Sequence, residues 1–135
     1  MLTIPMQMGV IAPKEHQRVI RKLIYHLSDL YLKKEITYEP FPETMIDESQ
    51  TSPTPDILLY DEEIRKFVVI IEISAPQGFK KDFQKITELC QTYEVQEGFV
   101  YDYISHQWKR YSLLSNEAED SSFCASINQD LRKFV

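Results

Sequence analysis

Seven consecutive residues, Phe67-Val-Val-Ile-Ile-Glu-Ile73, constrain this chain more than any other stretch. The run is rich in β-branched residues and almost unbroken in hydrophobicity, which predicts a central strand with both faces buried rather than a half-exposed one. The fold must therefore cover that strand on both sides. Glu72 breaks the apolar pattern near its end. A carboxylate costs several kcal/mol to desolvate unless it is paired or bound to a cation, so Glu72 needs a partner.

The segments on either side suggest where that partner comes from. Ile57 to Tyr60 forms a second apolar run, and the charged turn "DEEIRK" separates it from Phe67, so the two runs read as an antiparallel hairpin. Asp56 opens the first strand and Glu72 closes the second, sixteen positions later, which places both acids at one end of the sheet. Two carboxylates converging at a strand end make a hard oxygen site for Mg²⁺, which takes one or two carboxylates together with waters and phosphate oxygens.

Upstream, Ile20, Leu23, Ile24, Leu27, Leu30 and Tyr31 fall at helical spacing within Pro13 to Lys34, with Pro13 suited to the first turn. Glu15 lies where the helix dipole favours a negative charge. "EITYEPFPETMI" reads as an extended strand pushed to an edge by Pro40 and Pro42, and "DESQTSPT" as a polar loop. A second helix is expected over Asp82 to Glu94, stopped by Gly98. "FVYDYI" and "WKRYSLL" follow as strands, and a last helix is expected over Ser126 to Phe134. The order α-β-β-β-α-β-β-α puts helices against both faces of a central mixed sheet, an α/β (α+β) architecture.

The chain of 135 residues is long enough for one ordinary core, so a single domain over 1–135 is expected. Its net charge of −6 argues against broad electrostatic adhesion to nucleic acid and leaves only local basic stretches, "HQRVIRK", "FKKDFQK" and "HQWKRY", for phosphate contact. Cys90 and Cys124 fit no metal-ligand spacing, and "MLTIPMQMGV" lacks the pattern of an export signal. A cytoplasmic protein with no membrane partner is the resulting expectation. His16, His26 and His106 show no ligand spacing and read as packing or surface residues. Tyr101, Tyr103, Trp108 and Tyr111 read as core or edge packing, with base stacking as the alternative.

Pro55-Asp56, followed after a hairpin by Glu72-Ile73-Ser74, resembles the PD-(D/E)XK nuclease superfamily, whose restriction-endonuclease-like fold has the same α-β-β-β-α-β core. The resemblance covers about residues 13 to 112. "APKEHQRVIRKLIYHL", "PDILLYDEE" and "VVIIEISAP" are similar to the N-terminal nuclease domain of type I restriction enzyme R subunits. "HQRVIRKL" and "KKDFQKITELCQTY" are similar to the Uma-type predicted endonucleases. The resemblance implies a metal-dependent nuclease with Asp56 and Glu72 as Mg²⁺ or Mn²⁺ ligands and Glu15 as a third acid from the first helix. It also implies nucleic acid as partner, DNA ahead of RNA, with a homodimer left open.

The family lysine does not carry over, because Ser74 occupies its slot. A serine hydroxyl brings no positive charge. Some superfamily members supply the lysine from the following helix, where this chain has Lys80, Lys81 and Lys85; of these, Lys85 and Lys80 are the catalytic candidates and Lys85 borders the apolar stripe. Two functions stay open at this point. One is a nuclease with a migrated lysine; the other is a nuclease-fold domain that binds nucleic acid or protein without cleaving.

Overall fold

The computed structural model describes residues 13–47, 49 and 51–135. Its organising element is the expected hairpin: β2 (Ile57–Asp61) and β3 (Lys66–Ser74) pair antiparallel, with Ile57 opposite Ile71. The register slips by one residue between Leu59 and Tyr60, so Leu59 faces Val69 while Tyr60 faces Phe67. Such a bulge carries Val68 and Val69 to the same side and returns Phe67 to the other.

Six strands form one mixed sheet in sequential order, β1 (Glu39–Pro42), β2, β3, β4 (Glu97–Asp102), β5 (Gln107–Ser112) and β6 (Glu117–Glu119). Among the described strands only β3 and β4 run parallel, because the chain between them crosses over as a 3-10 turn, Pro76–Gly78, and helix α2 (Phe79–Tyr93). The proline-bearing β1 takes the edge, where a missing amide is harmless.

The two faces of β3 are covered by different helices. Ile20, Leu23 and Leu27 of α1 (Lys14–Leu32) pack with Ile57, Leu59, Val69, Ile71 and Ile73, while Ile86, Leu89 and Cys90 of α2 pack with Leu58, Phe67, Ile70 and Val100. Both faces of the central strand are thus buried, as its composition requires. Tyr101, Trp108 and Tyr111 are buried in these layers and offer no free ring face to a base. None of the described helices is long and apolar enough to cross a membrane.

Two expectations need correction. Residues 126–134 are not a helix: Phe123–Cys124 (β7) and Gln129–Asp130 (β8) pair as a small hairpin, and a 3-10 turn, Leu131–Phe134, follows. Asn128 adopts φ 54°, a left-handed conformation that turns the chain where a helix would continue. The segment before that hairpin, "SNEAEDSS", contains β6. Gly98 does not stop α2, which ends instead at Glu94 in a left-handed conformation with φ 56°.

Gly98 lies inside β4, where a Cβ would come within 2.4 Å of Ile86 Cγ2 and 2.7 Å of Cys90 Sγ. The glycine lets α2 approach the sheet. Gly98→Ala is therefore expected to overpack this contact and cost about 1–3 kcal/mol, read as a lower urea midpoint at unchanged slope. An unchanged midpoint would mean that α2 packs less closely than described.

Candidate active site at the end of the central strand

The backbone ladder between β2 and β3 runs out at Ile57 and Ile71, and two side chains continue it. Asp56 N–H donates to Glu72 Oε1 at 3.2 Å, and Ile73 N–H donates to Asp56 Oδ2 at 2.8 Å. Each acid thereby binds the backbone of the opposite strand, which holds the two carboxyl groups at one strand end. Their side chains are each 14% exposed, enough to be reached from solvent but poorly hydrated.

By strand alternation Glu72 lies on the α2 face, and α2 answers it. Lys85 Nζ donates to Glu72 Oε2 at 3.1 Å. Lys85 is half exposed, which fits a side chain whose stem runs along apolar surface while its ammonium group reaches a polar site. From the other face, α1 contributes His16. Its Nε2 lies 3.0 Å from the Ile73 carbonyl oxygen and 3.6 Å from Asp56 Oδ2.

Charge compensation here is incomplete. Burial, with the nearby carboxylates of Glu43 and Asp82, pushes Asp56 up to about 6, although the Ile73 amide and Lys85 pull the other way. Burial and the charge of Asp56 likewise raise Glu72 above the usual carboxylate range, against the opposing pull of Lys85. Burial works to lower Lys85, but Glu72, Asp82 and Asp56 outweigh it and hold the ammonium above its ordinary range. Lys85 is therefore a fixed positive charge near neutral pH, not a base.

Ser74, two residues after Glu72, is 3% exposed and donates its hydroxyl to the Ala75 carbonyl. It shares the α2 face with Glu72. A Cβ on Gly78 would sit 3.6 Å from Ser74 Oγ, so the 3-10 turn lies beside this side chain.

No protein-family model matches the sequence, and no curated protein matches it. Among solved structures the chain is similar to a protein from Anabaena variabilis ATCC 29413 described as a "putative nuclease belonging to DUF820". The match has a TM-score of 0.67 at 17% identity and covers 92% of this chain and 83% of that one. DUF820 is a family of restriction-endonuclease-like fold. This chain has a restriction-endonuclease-like fold.

Within the restriction-endonuclease-like fold, the residues singled out from sequence divide clearly. Asp56, Glu72 and Lys85 come together. Glu15 does not join them: it is exposed on α1 and pairs with Arg18 at 3.5 Å. Among the described residues no group of three or more acid, histidine or cysteine side chains is placed to hold a metal ion, so the three-acid set is not assembled. Lys80 is exposed, and no hydrogen bond or ion pair joins it to either acid. His16 is the residue that sequence reasoning missed. The only signal for it was its place on the first helix beside Glu15, one position from the expected acid.

The raised pKa of Asp56 has a measurable sign. The folded chain holds this proton more tightly than the unfolded chain, so the group's contribution is full below about pH 4 and is lost as pH rises through about 6. That loss is on the order of 2–3 kcal/mol. Asp56→Asn keeps an oxygen for the Ile73 amide and removes the charge. In metal-free buffer at about pH 7.5 it is expected to be more stable than the parent by about 2 kcal/mol, the gain vanishing near pH 4. Equal or lower stability at the higher pH would contradict the burial of an undercompensated acid.

Proposed function

We propose that the protein is a divalent-metal-dependent nuclease of nucleic-acid phosphodiester bonds, in which Asp56 and Glu72 hold the ion and Lys85 replaces the lysine absent at Ser74. The observation that carries this reading is the 3.1 Å contact between Lys85 Nζ and Glu72 Oε2 at the open end of β3. A lysine from the helix after the glutamate strand reaches the acid pair, which is the role that position 74 cannot fill.

The donor set fits a small hard cation. Three of the four carboxylate oxygens already accept a hydrogen bond, yet each keeps a second lone pair, and Asp56 Oδ1 accepts none from the described residues. The raised pKa values of both acids reflect buried negative charge that a cation would offset. When bound, Mg²⁺ or Mn²⁺ supplies an activated water and charge stabilisation at the phosphodiester. Asp56 and Glu72 bind and orient. Lys85, permanently charged at the mouth of the site, attracts the scissile phosphate and stabilises the negative charge that develops on it.

Nucleic acid as substrate, DNA ahead of RNA, and the finer kinship with type I R-subunit nuclease domains or Uma-type endonucleases belong to the same proposal. A second reading, a domain that binds without cleaving, is favoured by one feature. Lys85 is already engaged with Glu72, so the acid pair lacks a wholly free cation beside it.

A cleavage assay with Mg²⁺ or Mn²⁺ on single- and double-stranded DNA and RNA separates the two. Cleavage is expected from the parent, to fall by roughly a hundredfold or more in Asp56→Asn and Glu72→Gln, and by about 10- to 1,000-fold in Lys85→Ala. Cleavage retained in all three variants would come from contamination. Absence of cleavage on every substrate would leave the binding domain.

A further inference from the structure

We propose that His16 is a positioning residue of this site: it fixes the Ile73 peptide through Nε2–H, and through Ile73 the carboxylate of Asp56, without itself binding the ion. The tautomer follows from the partners. Nε2 lies 3.0 Å from the Ile73 carbonyl oxygen, which can only accept, so Nε2 carries the hydrogen. A bare Nε2 would set two lone pairs against each other. Nδ1 is buried with no hydrogen-bond partner among the described residues.

This assignment excludes one role and defines another. With its hydrogen committed to Ile73, Nε2 has no lone pair to give an ion held by Asp56, even though the two side chains are 3.6 Å apart. That distance is also too long for a hydrogen bond between them. What His16 does is complete a chain of contacts through a single residue. The imidazole holds Ile73 C=O, and Ile73 N–H holds Asp56 Oδ2 at 2.8 Å.

The ring is itself braced. Tyr103, following β4, meets His16 edge to face at 6.1 Å between ring centroids, and the imidazole side chain is 17% exposed. Helix α1 is thereby tied to the end of β3 by a polar contact that its apolar stripe does not provide. Asp56 Oδ2 is thereby held to the backbone, and Oδ1 accepts no hydrogen bond from the described residues.

The test uses the full chain and two variants. His16→Phe keeps an aromatic ring and deletes the donor; His16→Gln keeps an N–H at nearly the same reach. Amide hydrogen exchange reads the tether without any metal. Protection of the Ile73 amide is expected to fall about tenfold in the Phe variant and to return in the Gln variant, with the Phe99 amide in β4 unchanged in both. Mn²⁺ titration reads the consequence at the site, and this arm rests on the metal reading of Asp56 and Glu72. Affinity is expected to fall about tenfold or more in the Phe variant and to recover in the Gln variant.

Ile73 protection that survives His16→Phe overturns the proposal. So does equal loss of protection at Ile73 and Phe99 in both variants, which would make His16 a packing residue only. Mn²⁺ affinity lost alike in both variants, with Ile73 protection rescued by Gln, would make His16 a ligand. A parent that binds no Mn²⁺ would defeat the proposed function but not the tether, which the exchange data decide alone.

Discussion

Burial of β3 on both faces is the constraint from which the rest of the site follows. A strand covered by α1 on one side and α2 on the other has only its ends open to water. Any polar side chain at the carboxyl end must then find its partners from the two helices and from the neighbouring strand. Glu72 finds Lys85 from α2 and the Asp56 amide from the start of β2, while the Ile73 peptide beside it finds His16 from α1. The site is thus assembled from three layers, although its two acids come from a single hairpin. Its location, beyond the carboxyl ends of the parallel pair β3 and β4, is where open sheets with a crossover helix leave room for a ligand.

A second buried glutamate shows what full compensation looks like. Glu97 begins β4, at the opposite end of the parallel pair, and is 3% exposed. It accepts from Arg110 Nε at 2.6 Å and from the Ala125 and Ser126 amides at 3.0 and 2.7 Å. Burial works to raise its pKa, but Ser126, Arg110 and Ala125 together hold it below the ordinary range. The two ends of the sheet therefore treat the same residue type in opposite ways. Glu97 anchors the C-terminal hairpin to β4; Glu72 and Asp56 are left short of positive charge, which makes them the candidate functional pair.

Much of this was legible before the structure. The apolar run to Ile73, the turn "DEEIRK" and the proline before Asp56 predict the hairpin, and a sixteen-residue interval is enough to bring the acids to one end. Lys85 was readable because its helical phase places it at the border of the buried stripe rather than opposite it. His16 was not, because its partner Ile73 lies 57 positions away and nothing local marks that contact. The C-terminal segment misled for a different reason. Cys124, Ile127, Leu131 and Phe134 repeat at helical spacing, yet all four are buried by a hairpin and a 3-10 turn whose course is set by Glu97 and by the left-handed Asn128. The usual habit of glycine as a helix stop points the wrong way at Gly98, because the close approach of Ile86 and Cys90 is a tertiary fact.

The proposed function makes the end of the β2–β3 hairpin a cation site with its lysine supplied by α2. Anomalous diffraction from crystals saturated with Mn²⁺ tests it most directly. A manganese peak is expected within bonding distance of both the Asp56 and Glu72 carboxylates, at about 2.0–2.2 Å from oxygen as for small hard divalent ions, with Lys85 Nζ still beside the pair. No peak between the two acids at saturating Mn²⁺, or a peak that only Glu15 or another surface acid ligates, would contradict it.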